Sequence, residues 1–215
     1  GIDTQTLAEA SFDTWLKYYR RNENSNNTQI SYYTKGAVVA MIFDFIIMDA
    51  TNGEKCLDDV MKKLYADYLA NPHQGVTENS LLQVFSNISN INFSPYFKKY
   101  LHTTDSLDIE TYFELLGINI LDINQKQVHL GLSTQWKEGK LIITELDKNY
   151  GAYVDGLNVG DEIIAIDGFR VMADFGKVYE QKKVDDNIDV IISRQGILKS
   201  YKVTLTANRQ RNITF

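Results

Sequence analysis

Ser31-Tyr32-Tyr33-Thr34-Lys35-Gly36 leads directly into Ala37-Val38-Val39-Ala40-Met41-Ile42-Phe43-Asp44-Phe45-Ile46-Ile47-Met48, and this stretch organises the chain. From Gly36 to Met48 the single charge is Asp44. The apolar run over 37–50 is roughly 14 residues, too short to span a bilayer. It is also apolar on every side, unlike a surface helix, so it predicts a helix buried in a soluble core. Two adjacent tyrosines stand where that helix begins. A polar group at the end of a rigid, buried element is well placed to serve a site.

On the N-terminal side, Leu7, Ala8, Ser11, Phe12, Trp15, Leu16 and Tyr19 recur at helical spacing and predict an amphipathic helix ending near Arg21. Arg20 and Arg21 suit the negative end of its dipole. Residues 22–28 contain no apolar side chain and read as a loop. Beyond the buried helix, Thr51-Asn52-Gly53 is a stop signal. Leu57, Val60, Met61, Leu64, Tyr65 and Tyr68 predict a second amphipathic helix, which Asn71-Pro72-His73-Gln74-Gly75 breaks. Thr77 caps the next, and Ser94-Pro95 supplies a cap and a first-turn proline for another. Residues 108–116 make a last short helix closed by Gly117.

The texture changes near Asn119. Short β-like runs separated by glycine turns follow, at 128–133, 140–145, 162–166, 188–193 and 200–205, with one helix at 175–181. The expected fold class is therefore α+β in two domains: an all-helical domain over 1–118, then a small, partly open β-barrel over 119–215.

The totals narrow the function classes. A 44% hydrophobic and 23% charged composition describes a globular chain with a real core. Net charge is −6 with a pI near 5.1, which argues against nucleic acid as a partner. All of that charge lies in residues 1–119, with 9 Lys and Arg against 15 Asp and Glu. It is either a solvated acidic surface or a field that steers a cationic peptide end. The lone Cys56 excludes an internal disulfide and a cysteine-based zinc site. No signal peptide and no membrane span are evident. Gly1 runs straight into helix-forming sequence, which suggests a segment excised from a longer chain, with a periplasmic or secreted setting favoured over a cytoplasmic one.

His73, His102 and His129 are scattered, and no His-Glu-x-x-His pair, phosphate loop or nucleophile elbow is present. Alone, this chain lacks the parts for hydrolysis, and no metal ligand is assigned.

Two resemblances sharpen the reading. His129-Leu130-Gly131-Leu132, Gly139-Lys140-Leu141-Ile142-Ile143 and the stretch from Gly151 to Gly168 resemble a bacterial PDZ domain. Gly131 between two leucines lets successive N–H groups converge on a peptide carboxylate. The strand after it would accept an extended peptide by β-augmentation. A helix over 174–183 would form the opposite wall, with Val178 near the ligand side chains. The peptide-binding residues are thus Leu130, Gly131, Leu132 and Val178, unless the domain merely packs on its neighbour.

Tyr33-Thr34-Lys35-Gly36 at the head of a buried helix is similar to the Tyr-x-Lys-Gly motif of thermolysin-like zinc aminopeptidases. With Leu7-Ala8-Glu9-Ala10-Ser11-Phe12-Asp13-Thr14-Trp15, Leu57-Asp58-Asp59-Val60-Met61 and a PDZ-like domain, the chain resembles the C-terminal part of the glycyl aminopeptidase family. The resemblance implies that the Tyr33 hydroxyl, or Tyr32 if the register is off by one, donates to the oxyanion of a tetrahedral intermediate. It implies that Lys35 and Gly36 are structural, Gly36 allowing close approach. It implies zinc in the parent protein, held by a missing N-terminal catalytic part, and a peptide or protein substrate. The zinc-binding histidines and glutamate are absent here, so the fragment by itself would be inactive. The rival readings are a non-catalytic peptide-binding adaptor and an inactive peptidase homologue.

Overall fold

Ser31 fixes where the central helix begins. Its extended backbone places Oγ to accept the Thr34 N–H at 3.2 Å, satisfying one of the free donors at the helix start. The computed structural model describes residues 1–122, 127–171, 175–209 and 213–214. They form two compact units, Gly1–Arg20 with Thr28–Ile120, and Arg21–Asn27 with Leu121–Phe215.

In the first unit the helices are α1 (Leu7–Phe12), α3 (Tyr32–Ala50), α4 (Leu57–Ala70), α5 (Glu78–Ser89), α6 (Ser94–His102) and α7 (Ile109–Leu115), and a short α2 (Ser25–Thr28) spans the point where the chain re-enters it. At 19 residues α3 outruns the predicted run, because the tyrosines themselves form its first turn. Together with the residues before it, α3 is long and apolar enough by composition to cross a membrane. One face of it packs into the unit's core: Val39, Ile42, Phe43, Ile46 and Ile47 are buried, and α1, α4, α5 and α7 all touch the helix. Phe43 lies at the centre, stacked on Phe97 at 5.5 Å and edge-on to Phe93 at 5.2 Å. Asp44 is explained by the same packing. Its Oδ1 accepts the Leu57 N–H at 2.7 Å, so the lone charge of the run closes the exposed start of α4.

Three expectations are corrected in this unit. The first amphipathic helix ends at Phe12, after which residues 13–19 continue in turns. Leu7, Ala10 and Thr14 face inward, whereas Phe12, Trp15, Leu16 and Tyr19 of the predicted apolar stripe are exposed. Ser94 is the first residue of α6 rather than its cap, a position that Phe93 takes. Gly36 is not demanded by close packing, since a Cβ there would meet nothing nearer than Leu7 Cδ1 at 4.0 Å.

The second unit has the strands β1 (Leu121–Asp122), β2 (Val128–His129), β3 (Leu132–Lys137), β4 (Lys140–Leu146), β5 (Glu162–Ile166), β6 (Phe169–Arg170), β7 (Asn187–Arg194), β8 (Ile197–Thr204), β9 (Thr206–Ala207) and β10 (Ile213–Thr214). A six-stranded antiparallel sheet runs β3-β4-β5-β7-β8 with β6 on β5, and β1-β10 and β2-β9 form two small flanking pairs. Glu138-Gly139, Asp167-Gly168 and Gln195-Gly196 each hold paired positive φ, the tight hairpin geometry that matches strand twist. Alternation on β7 buries Ile188, Val190 and Ile192 against Leu130, Ile143, Ile166, Val203 and Leu205. One helical turn, α8 (Gly151–Val154), closes the barrel end.

The helix expected over 174–183 is a single 3-10 turn at Phe175–Val178, with Asp174 outside the described residues. The polar segment read as a loop is a structural part of this unit. Asn27 Nδ2 donates to the Leu146 carbonyl at 2.7 Å, and its Oδ1 accepts the Lys148 N–H at 2.8 Å, so one buried amide binds the chain on both faces.

Candidate functional site

The start of α3 carries an aromatic cluster in the first unit. Tyr32 and Tyr33 are neighbours on the first helical turn, with ring centroids 4.2 Å apart. Tyr18 meets both edge-on at 5.6 and 5.9 Å, and Tyr19 packs between Tyr18 and Trp15. Tyr32 leans into the core, while Tyr33 is 57% exposed, so the two sequence candidates differ in what their hydroxyls can reach. The Tyr33 hydroxyl lies 3.3 Å from that of Tyr19. Hydrogen bonding to Tyr19 and then Tyr32 lowers the Tyr33 phenol below its usual range. The Tyr33 hydroxyl bond, then burial, raises Tyr32. Of the two, Tyr33 is therefore the hydroxyl both more acidic and more open to solvent.

Lys35 lies two residues further along the same turn and is only 8% exposed. Its Nζ finds no hydrogen-bond partner among the described residues. Burial lowers its pKa from 10.5, against the attraction of Asp105. An unsatisfied buried ammonium costs about 1–3 kcal/mol, so Lys35→Met is expected to stabilise the first unit by that order. The sign of the pH effect follows. Between the depressed folded value and 10.5 the unfolded chain binds the extra proton, so native stability rises with pH in that window. The advantage of Lys35→Met should accordingly shrink as pH rises, which urea melts at neutral and alkaline pH would measure.

In the second unit the apolar residues proposed for peptide binding, Leu130, Leu132 and Val178, all belong to or pack against one core. Leu130 is 1% exposed, with its side chain in the core, so its backbone alone is available. Leu132 and Val178 are half-buried against the same core. Gly131 has φ +74°, and a Cβ there would fall 2.1 Å from Tyr150 Cβ, so only glycine fits. Its N–H donates to His129 Nδ1 at 2.8 Å. The amide expected to greet a carboxylate is thus held by an imidazole, whose pKa burial lowers against the pull of Asp147. β3 is the terminal strand of the sheet path, the position from which a peptide strand can be added.

His102 pairs with Glu78 at 2.6 Å on the surface, and His73 is exposed. Among the described residues no three His, Cys, Asp or Glu side chains converge as a metal site. The described residues by themselves therefore do not fit a zinc site. Sequence reasoning missed Tyr19 and Tyr18 as members of the cluster. The helical spacing of Tyr19 with Trp15 places it on an amphipathic helix face, and nothing in the sequence marks Tyr18.

The chain thus combines a helical unit that presents a tyrosine hydroxyl at a helix start with a unit built on a six-stranded antiparallel sheet. Residues 1–39, which contain the whole cluster, match the model of the M61 glycyl aminopeptidase family. The entire chain superposes on an aminopeptidase N family protein from Idiomarina loihiensis with a TM-score of 0.87 at 22% identity, covering 100% of this chain and 39% of that one. The chain is thus similar to the glycyl aminopeptidases and spans well under half of that structure's length. More local likenesses include a PDZ domain protein from Parabacteroides distasonis (TM-score 0.33, 18% identity, 42% of this chain and 21% of that one). A serine endoprotease from Yersinia pestis is similar at a TM-score of 0.33 and 20% identity, over 39% of this chain and 30% of that one. No curated protein matches the chain.

Proposed function

We propose that this chain is part of a zinc-dependent aminopeptidase of the glycyl type, and that Tyr33 is its oxyanion donor. In this reading the zinc ligands lie in a portion of the enzyme outside the described residues. The observation that carries it is the exposed Tyr33, its hydroxyl 3.3 Å from that of Tyr19, at the capped start of α3 and inside the segment that matches the family. A hydroxyl on a buried helix moves little, so it can face developing negative charge without reorganisation. The second unit, on this proposal, receives peptide C-termini or aids substrate recognition along β3 and the Leu130-Gly131-Leu132 corner, in a periplasmic or secreted enzyme.

The test is made on the intact protein from its source. We expect a mass well above 24.6 kDa, one zinc per chain, and hydrolysis of N-terminal glycyl peptides that a chelator abolishes. A metal-free protein without hydrolysis that still binds peptide C-termini would replace this reading with the adaptor.

A further inference from the structure

We propose that Tyr19 is a positioning residue for Tyr33, donating its hydroxyl proton to the Tyr33 oxygen so that Tyr33 keeps its own proton for the substrate. The inference rests on the reading of Tyr33 as oxyanion donor and adds to it a residue from a different part of the chain.

Tyr19 comes from the turns after α1, not from α3. That segment is fixed from within. Buried Thr14 bonds through Oγ1 to the carbonyls of Ala10 at 2.9 Å and Ser11 at 2.7 Å. The Tyr18 N–H donates to the Thr14 carbonyl at 3.0 Å. Trp15 and Tyr18 then flank the Tyr19 ring at 5.2 and 5.4 Å. On the other side, Tyr32 and the edge of Tyr18 hold the Tyr33 ring. With both rings located by their neighbours, the hydroxyls meet at 3.3 Å.

The direction of the bond decides its use. If Tyr33 donated to Tyr19, its proton would be spent and its oxygen would face an oxyanion with lone pairs alone. With Tyr19 donating, the chain runs Tyr19 to Tyr33 to oxyanion, and each bond polarises the next. The acidities agree, since bonding to Tyr19 lowers Tyr33 while the bond to Tyr33 raises Tyr19. The other titrating groups facing the pair are Tyr18 and Tyr32, and the Ser31 hydroxyl lies 3.4 Å from that of Tyr18.

Tyr19→Phe keeps the ring and removes the hydroxyl. In the 215-residue chain, labelled at the tyrosine ζ-carbon, the Tyr33 resonance should titrate at higher pH in the variant, while the hydrogen-bonded Tyr100–Tyr112 pair stays unchanged as a control on the fold. In the intact enzyme kcat should fall about tenfold with KM unaltered, the size of one hydrogen bond. A Tyr33 titration unmoved by Tyr19→Phe overturns the proposal, and so does a shifted titration with unchanged kcat. If Tyr33→Phe itself leaves kcat intact, the oxyanion reading fails, while the titration still reports separately whether the contact exists.

Discussion

On the proposed oxyanion role, Tyr33→Phe is expected to lower kcat of the intact protein by about 10²–10³, with zinc content, KM and melting temperature nearly unchanged. The size follows from what is removed. A preorganised donor aimed at a developing oxyanion is stronger in the transition state than in the ground state, so its loss appears in kcat. Stability should be spared because Tyr33 is an exposed residue and its ring contacts, to Tyr32 and Tyr18, survive in phenylalanine. Tyr32→Phe is the natural comparison. Its ring packs on the core, and its hydroxyl is the less acidic of the pair, so a much smaller loss is expected. Steady-state kinetics on a glycyl substrate separates them, and the reverse order of effects would transfer the role to Tyr32.

The second large effect concerns stability. Asp161 is 1% exposed, and Arg194 holds it with two parallel bonds of 2.7 Å, Nε to Oδ1 and Nη2 to Oδ2. The same guanidinium donates to the Gly156 carbonyl at 2.9 Å and lies over the Tyr201 ring at 5.4 Å. Asp161 in turn accepts the Asn158 N–H at 2.8 Å, tying the turn before β5 to the end of β7. Arg194→Met would leave a carboxylate buried without its counter-charge, at a cost of about 3–5 kcal/mol. Removing both charges in Asp161→Leu with Arg194→Met should restore much of that loss, because the desolvation penalty goes with the pair. Urea unfolding of the single and double variants checks this. A single variant within about 1 kcal/mol of wild type would mean the pair is solvated in solution.

What the sequence made legible was mainly local. Asp167-Gly168 marks its hairpin turn, Thr77 its cap, and the continuous apolar run its buried helix, because each reports on a few adjacent residues. What failed needed knowledge of distant partners. Arg194 and Asp161 are 33 positions apart, and no spacing rule joins them. The Phe12, Trp15, Leu16 and Tyr19 stripe obeyed helical periodicity, yet the helix stops at Phe12 and the buried positions are Leu7, Ala10 and Thr14. Periodicity reports that a face exists and not which way it turns. Tyr33 was singled out because it sits in a stretch that resembles a family motif. Tyr19 escaped because its partner stands 14 residues away on a different element. In the second unit Gly131 was read as a free carboxylate nest, but the nearby His129 ring takes its N–H, a contact that depends on one side-chain rotamer.

The polar excursion Arg21–Asn27 bears on how such a module can be inherited. A compact sheet unit is easily pictured as a cassette, cut at two ends and pasted between genes. Here the sheet unit draws seven of its residues from inside the helical unit's own sequence, and Asn27 supplies bonds to Leu146 and Lys148 that 121–215 alone would lack. A recombination joint placed at residue 120 would carry off an incomplete domain and leave behind a severed strap. Neither unit is therefore encoded by one continuous segment, and no single cut in the sequence separates them.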